Sequence, residues 1–147
     1  MTTTVRQILD EKGDAIFAVT PEATVLEALQ CMQANDIGGV LVTEGAHLRG
    51  IFTERDYARK VTLQGRTSKD LKVTEVMTAN VLTISPSQTI DDVMAMMTEN
   101  RIRHLPVVEK GAMVGIITIG DAVKAVIAEQ QATIEHLESY ISGDLST

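Results

Sequence analysis

The chain has one cysteine, Cys31, among its 147 residues. It cannot form an internal disulfide, and a reducing compartment is the expected location. Tryptophan is absent, aromatic residues make up 3 % of the chain, and the formal net charge is −7. Nucleic-acid binding relies on basic surface and on aromatic stacking, so this composition argues against a nucleic-acid partner.

Long hydrophobic runs are also missing. No apolar segment approaches the roughly 18 residues of a membrane-spanning helix. The stretch from Met1 to Asp14 is too polar for a signal peptide. We therefore expect a cytoplasmic protein that does not bind a membrane. The hydrophobic fraction of 44 % suffices for a core, which must be aliphatic.

Patterns typical of catalytic and metal sites are absent as well. His47, His104 and His136 lie on distant segments without ligand spacing, which argues against a metal site. The sequence has no nucleophile–base pair, no Walker loop and no paired catalytic carboxylates. We therefore predict that the protein is not an enzyme and requires no metal.

What the sequence does contain is an internal repeat. Residues 50–56 read Gly-Ile-Phe-Thr-Glu-Arg-Asp, and residues 115–121 read Gly-Ile-Ile-Thr-Ile-Gly-Asp. The offset of 65 residues continues without a gap to other matched positions, which include Pro21 with Pro86, Thr24 with Thr89, and Asn35 with Asn100. A constant register over this length indicates a tandem duplication.

Each half predicts the order β-α-β-β-α. In the first half we expect strands at 16–19, 40–42 and 48–53, a helix capped by Thr24, and a second helix from Glu54. In the second half we expect strands at 81–84, 105–108 and 113–118, a helix capped by Thr89, and a final helix at 121–141. Pro106 lacks a backbone donor, which predicts an edge strand.

The predicted fold class is therefore α+β, with two repeats packed sheet to sheet around a pseudo-twofold axis. The first repeat with its N-terminal segment covers 1–62, a polar linker 63–72, the second repeat 73–128, and a helical extension with a tail 129–147. A half of about 60 residues is marginal alone. Packing two halves together leaves two symmetry-related clefts between them.

Several phrases in this repeat match a known pattern. They are the two Gly-apolar-apolar-Thr-x-x-Asp segments, Val-Thr-Pro at 19–21, Ile-Ser-Pro at 84–86, and Arg-Ile-Arg-His-Leu-Pro-Val-Val at 101–108. Together they resemble a pair of cystathionine-β-synthase (CBS) domains, called a Bateman module. The resemblance covers roughly residues 8–130. It is strongest to small bacterial proteins made of a CBS pair and little else.

The resemblance implies a regulatory module that binds an adenosine ligand in the clefts, AMP foremost, with NAD, ADP or ATP as other candidates. S-adenosylmethionine also occurs in relatives. In such modules the aspartate takes the ribose hydroxyls and the threonine sits near the phosphates. These roles carry over to Asp56 and Asp121, and to Thr53 and Thr118. Thr20, in the Val-Thr-Pro phrase, joins the predicted ligand site.

The residues of the Thr-x-x-Asp segments support two interpretations by themselves. Thr53 and Asp56 share one face of a first helical turn, where free amides favour anions and a carboxylate can accept a ribose diol. The same spacing is also that of a helix cap, with the aspartate opposing the helix dipole. The sequence leaves both interpretations open, and the duplication favours binding.

A basic cluster precedes the second Leu-Pro-Val phrase. Guanidinium groups suit phosphate, and the resemblance implies that the basic pair Arg103 and His104 reaches ligand phosphates. A solvated loop, with Arg101 paired to a nearby glutamate, is the alternative. The matching positions in the first half carry Asp36, Gly38 and Gly39. Arg55 could supply the missing cation, and we expect the two clefts to differ.

The leading hypothesis is a stand-alone nucleotide-binding module that senses energy or redox state and modulates an unidentified partner protein. The alternative is a structural dimerisation protein whose clefts are vestigial. The final helix adds an apolar stripe that includes Val126, Ile134, Leu137 and Ile141. Such a stripe predicts a homodimer across a twofold axis. Folding of this helix back onto its own module is the other outcome.

Overall fold

The repeated sequence folds into two similar α+β units. The computed structural model describes residues 3–13 and 15–143. The elements before the linker are α1 (Val5–Lys12), β1 (Ala18–Val19), α2 (Val25–Asn35), β2 (Gly39–Glu44), β3 (His47–Thr53), α3 (Glu54–Tyr57) and a π-helical turn (Ala58–Thr62). A 3₁₀ turn (Val73–Glu75) precedes α4 (Ile90–Asn100), β4 (His104–Glu109), β5 (Ala112–Thr118) and α5 (Ile119–Ser142).

The predicted capping residues begin both central helices. Thr24 accepts a hydrogen bond from the Glu27 amide at 3.1 Å, and Glu27 accepts from the Thr24 amide at 3.4 Å. Thr89 and Asp92 form the same reciprocal pair at the start of α4. Each such box satisfies two amides that the helix leaves without intrahelical partners. The boxes confirm the predicted starts of both helices.

The β-structure forms two small sheets. In the first, β1 runs parallel to β2, and β2 is antiparallel to β3. In the second, β4 is antiparallel to β5. The predicted strand at 81–84 is wrong in extent, because only Ile84 pairs, through a parallel bridge to Val107. Leu82 and Thr83 are exposed, so their strand-forming side chains have no packed surface to favour an extended ladder.

The N-terminal segment lies on the second repeat. The amide of Val5 donates to the Gln88 carbonyl at 2.8 Å, and the Ile90 amide donates to the Thr3 carbonyl at 2.8 Å. On the first repeat, the end of the linker and the residue after it make the equivalent pair. The Val73 amide donates to the Ala23 carbonyl at 2.9 Å, and the Val25 amide donates to the Leu71 carbonyl at 2.8 Å. The sequence prediction grouped this segment with the first repeat, whereas its packing completes the second.

Each repeat buries its own aliphatic cluster. Phe52 lies in the first cluster, with Val25, Val40, Val61 and Val73 among its fully or almost fully buried neighbours. The second cluster includes Val5, Leu9, Ile90, Leu105 and Ile117. Burial of each such side chain contributes about 1.5–3 kcal/mol. Strands β3 and β5 contact each other, which brings the two sheets together as predicted.

Helix α5 extends well past this core. Its first half packs against α4, α1 and β5, and Val126 is partly buried there, so it does not belong to the exposed stripe. From Gln130 to Ser142 every residue except Ser139 is exposed. The helix therefore does not fold back onto its own module. Within the described chain, no helix is both long enough and apolar enough to span a membrane.

Candidate functional site

The two Thr-x-x-Asp segments lie at the junctions between strand and helix, β3–α3 and β5–α5. Asp56 Oδ2 accepts from the Thr53 amide at 3.0 Å and from Thr53 Oγ1 at 3.1 Å. Asp121 Oδ2 accepts from the Thr118 amide at 2.9 Å and from Thr118 Oγ1 at 3.0 Å. Both segments are therefore capping boxes, and ligand binding by the same residues stays a prediction.

The capping arrangement limits what the start of α5 offers an anion. The Ile119 amide donates to the Arg103 carbonyl at 2.9 Å, and the Asp121 amide donates to Thr118 Oγ1 at 3.3 Å. Two of the three first-turn amides are thus occupied. Anion binding at this helix start depends on the Gly120 amide and on nearby cationic side chains.

At α3, where the sequence predicted free amides, the Glu54 amide donates to the Gly38 carbonyl. The Asp56 amide donates to Thr53 Oγ1, so that expectation is corrected.

Asp56 is closed off by its neighbours. Its side chain is among the described buried charged groups, with the residue 7 % exposed. Lys60 Nζ lies 3.0 Å from Asp56 Oδ1, and Thr78 Oγ1 donates to the same oxygen at 3.3 Å. Lys60 also donates to the Val76 carbonyl at 3.1 Å. Both carboxylate oxygens of Asp56 therefore have protein partners.

Asp121 is more open, and its cation comes from a distant segment. Lys12 Nζ, at the end of α1, lies 2.7 Å from Asp121 Oδ2 and 2.9 Å from the Ile116 carbonyl. Partial burial raises the pKa of Asp121, but the hydrogen bonds from Lys12 and Thr118 outweigh it, so the pKa lies below its ordinary value. In the described chain no donor contacts Oδ1 of Asp121, which leaves that oxygen available.

His104 lies where the two repeats meet. A Cβ placed on Gly39 would be 3.3 Å from His104 Nε2, and a Cβ on Gly38 would be 2.9 Å from Glu54 Oε1. The glycines thus make room for the imidazole and the carboxylate. Burial lowers the pKa of His104, and this outweighs the raising effect of Glu54; the Arg103 charge lowers it further. The ring is therefore neutral at neutral pH.

The three arginines near the predicted site make different contacts. Arg55 reaches across to the second repeat, where Nη1 donates to the Arg101 carbonyl at 2.9 Å. Arg101 itself adopts a left-handed conformation, φ 52°, as the cap of α4. Arg103 is exposed, and its carbonyl holds the first amide of α5. This contact keeps Arg103 beside the junction that carries Thr118 and Asp121.

Thr20 lies in the first repeat, directly after β1. It is exposed, and its carbonyl accepts from the Ala23 amide at 3.0 Å in the turn after β1. Among the described residues, no hydrogen bond connects its side chain to another predicted site residue. In the same part of the chain, no three His, Cys, Asp or Glu side chains are grouped to hold a metal ion.

Sequence reasoning missed the two lysines that contact the aspartates. Lys60 could have been found, because it lies four residues after Asp56 on a helix. Lys12 gave no such signal, because its contact with Asp121 spans 109 residues. That contact exists because α1 packs on the second repeat. Thr78 was hidden in the same way, since the pairing of its backbone with Ile51 brings it to Asp56.

Comparisons with known proteins agree with this geometry. The family model for the CBS domain matches residues 3–62 and 73–128. The chain is 37 % identical over 150 residues to the mitochondrial CBS domain-containing protein CBSX3 of Arabidopsis thaliana, covering 96 % of this chain and 73 % of that protein. It is 32 % identical to the CBS domain-containing protein YhcV of Bacillus subtilis, covering 78 % of this chain and 81 % of that protein.

Solved structures give the same result. A CBS-domain protein from Burkholderia ambifaria MC40-6 is 51 % identical to this chain and superposes with a TM-score of 0.83. The match covers 87 % of this chain and 96 % of the other. Two matched domains in one chain, with the pseudo-symmetric junctions described above, confirm the predicted fold. The chain belongs to the CBS-domain family, as a tandem pair of these domains.

Proposed function

We propose that this CBS pair is a regulatory module that binds an adenosine nucleotide, with AMP first and NAD, ADP or ATP as alternatives. The ligand binds between the repeats and shifts the packing of one on the other, which alters the affinity for a partner protein. Energy or redox state would thereby be sensed in the cytoplasm. The Burkholderia ambifaria relative is provisionally named a signal-transduction protein, in line with a regulatory role.

The observation that carries this proposal is the state of Asp121. One of its oxygens holds the cap and the Lys12 ammonium, while Oδ1 has no donor among the described residues. A carboxylate oxygen of this kind can accept a ribose hydroxyl, as acidic residues do in dinucleotide folds. The pKa of Asp121 lies below its ordinary value, so the carboxylate is charged when it meets a ligand at neutral pH. Oδ1 of Asp121 is therefore available to accept a ribose hydroxyl.

The phosphate end of the ligand has a matching set of donors. Arg103 supplies a permanent positive charge beside the β5–α5 junction, and Arg55 extends into the same inter-repeat region. His104, being neutral, contributes a single N–H donor and no charge at neutral pH. Thr118 adds a hydroxyl close to Asp121. Arg103 is therefore the side chain on which phosphate affinity should depend most.

The two clefts are proposed to differ in occupancy. Asp56 is buried, and Lys60 and Thr78 occupy its second oxygen. Its helix, α3, spans four residues before the π-helical turn, whereas α5 spans 24. A ligand at Asp56 would have to displace two protein donors from that oxygen. We therefore assign the higher-affinity site to the Asp121 cleft, with about one nucleotide per chain.

A thermal-shift panel tests the proposal, because a ligand that binds the native state must stabilise it. The ligands are AMP, ADP, ATP, NAD, NADH, S-adenosylmethionine and adenosine, each at several concentrations. At least one nucleotide should raise the melting temperature in a saturable way. Absence of stabilisation by every ligand would contradict nucleotide binding.

The same panel on an Arg103→Ala variant tests whether Arg103 contacts the phosphate. The variant should lose more of the shift produced by AMP than of the shift produced by adenosine, because only AMP carries a phosphate. Arg49→Ala is the matched control, since Arg49 is exposed and pairs with Glu44 on the β2–β3 hairpin. Equal losses for AMP and adenosine would show that Arg103 does not contact phosphate.

The alternative function is a structural dimerisation protein with vestigial clefts. The exposed stripe on α5 is the observation that favours it, because it offers an assembly surface whether or not a ligand binds. A homodimer belongs to both hypotheses. A dimer that no adenosine ligand stabilises would favour the structural alternative.

A further inference from the structure

Helix α5 carries an unpartnered apolar stripe along its whole length. Its members are Val123, Ile127, Ile134, Leu137 and Ile141, all exposed, with Ile141 at 83 %. They follow the alternating spacing of three and four residues of positions a and d in a heptad, with Gly120 and Gln130 at the remaining two positions. A 3.5-residue repeat is typical of a helix that pairs with another helix.

The opposite face of α5 is already in use. Ala122 is buried, and Ala125 and Val126 pack against the second core. The stripe therefore points away from the body of the protein. The 24 residues of α5 span about 36 Å, so the stripe forms a long apolar surface of the kind that soluble proteins cover.

We propose that α5 pairs with α5 of a second copy of this chain in an antiparallel two-helix coiled coil. This register places Val123 opposite Ile141, and Ile127 opposite Leu137, of the second copy. Gln130 then lies opposite Ile134 near the twofold axis. Each a position faces a d position, so one stripe is complementary to itself, as a twofold interface requires.

The charges beside the stripe select this orientation. In the antiparallel register, Lys124 lies opposite Glu138 of the second copy, and twofold symmetry makes this pair twice. In a parallel pair the same lysine would face Ile119 and the same glutamate would face Thr133, so neither would meet an opposite charge. Charges at such flanking positions set the orientation of paired helices.

The surface of α5 has a depression where the partner helix would end. It has a volume of about 400 Å³ and is lined by Ile119, Gly120, Val123, Lys124 and Ile127. Gly120 has no side chain to fill it, so the last turn of the second copy, with Ile141, fits there. Because Gly120 directly precedes Asp121, the pairing brings the second copy next to the proposed nucleotide cleft.

Charge reversal tests the pairing, with the dimer dissociation constant measured by analytical ultracentrifugation. Lys124→Glu and Glu138→Lys each place like charges in two symmetric pairs, and each should raise the dissociation constant by about tenfold. The double reversal restores opposite charges and should return within about threefold of the wild type. Glu135→Lys has the same charge change on the outer face and should leave the constant unchanged.

A core variant completes the test. Ile134→Asp should weaken the dimer by at least about a hundredfold, and the monomer should remain folded by circular dichroism because Ile134 is exposed in the single chain. A monomeric wild type, or an Ile134→Asp variant that dimerises equally well, would overturn the pairing. Failure of the double reversal to recover would overturn the antiparallel register. None of these outcomes depends on nucleotide binding.

Discussion

At the scale of single residues, the contact between the two repeats pairs a large side chain with a glycine at the matching position of the other repeat. His104 and Gly39 occupy matching places in the two repeats, and the imidazole lies against the glycine. Two side chains of imidazole size would not fit there. The glycines at positions 38 and 39, which match Arg103 and His104 of the second repeat, therefore leave the space in which His104 is buried.

This burial predicts a pH dependence of stability. The pKa of His104 lies below its ordinary value of 6.5 in the folded state, so the unfolded chain binds more protons just below pH 6.5. The associated stability is complete above pH 6.5 and is lost as the pH falls below it. The loss is at most about 1.4 kcal/mol per pH unit for one group.

Urea unfolding at pH 7.5, 6.5 and 5.5 measures this effect. The free energy of unfolding of the wild type should fall more steeply between pH 6.5 and 5.5 than that of His104→Gln. Asp121 does not interfere, because its pKa is lowered from 3.8 and its contribution is lost only at more acidic pH. Parallel pH curves for the two proteins would contradict the account of His104.

The sequence predicted the Thr-x-x-Asp junctions because their chemistry is local. A threonine and an aspartate three residues apart determine a helix start, whatever else they bind. The Asp121–Lys12 pair was not predictable in this way, since nothing in the sequence near Asp121 indicates which distant segment covers it. Whether the aspartates also bind ribose is not a property of local geometry, and it stays a prediction.

At the scale of elements, the N-terminal segment packs on the second repeat, and the linker with the residues after it packs in the same way on the first. The segment that directly follows the linker pairs with β3 through Thr78 and Ile51, whose backbones exchange two hydrogen bonds of 3.0 and 2.8 Å. On the other side, Leu9 of α1 lies against Gly115. Gly50 and Gly115 are at matching positions of the repeat. In both strands the glycine has no side chain, so another segment of the chain can pack directly against the backbone.

The two glycines should nevertheless respond differently to alanine. A Cβ on Gly50 would lie 2.8 Å from the Thr78 carbonyl and 2.6 Å from Met77 Sδ, while a Cβ on Gly115 would meet only the Leu9 side chain among its nearest neighbours. Backbone cannot move without breaking the paired hydrogen bonds, whereas a leucine side chain can rotate. Overpacking of this kind typically costs about 1–3 kcal/mol.

We therefore expect Gly50→Ala to lower the free energy of unfolding more than Gly115→Ala, as measured by urea denaturation at pH 7.5. An equal or smaller loss for Gly50→Ala would show that the segment around Thr78 is not held tightly against β3.

Elements were predictable where periodicity and caps agreed, as for α2 and α4. Strands were not predictable where their extent depends on which other strand they pair with. Residues 81–84 have the side chains of a strand, but only Ile84 reaches β4. The four-residue α3 and the π-helical turn that follows it also have no simple sequence pattern, although Val61 of that turn is buried in the first core.

At the scale of the whole molecule, pseudo-symmetry of the fold coexists with asymmetry of the clefts. The duplicated junctions match in their capping distances to about 0.1 Å. Their surroundings differ, because Asp56 is enclosed by Lys60 of the π-helical turn and by Thr78, while Asp121 is reached by Lys12 from α1. This difference is the reason for proposing one nucleotide site per chain, at Asp121, where Lys12 of α1 is the neighbouring cation.

The central claim is that an adenosine nucleotide binds through the Asp121 carboxylate. Isothermal titration calorimetry with AMP, on the wild type, Asp121→Ala and Asp92→Ala, tests it most directly. Asp92 is the control, because it forms an equivalent capping box with Thr89 at the start of α4. The two variants therefore lose the same kind of helix cap.

Removing a charged hydrogen-bond partner typically costs about 1.5–3 kcal/mol. We expect the wild type and Asp92→Ala to bind AMP equally, with about one site per chain, and Asp121→Ala to bind it at least about tenfold more weakly. Unchanged AMP affinity in a folded Asp121→Ala protein would contradict the account.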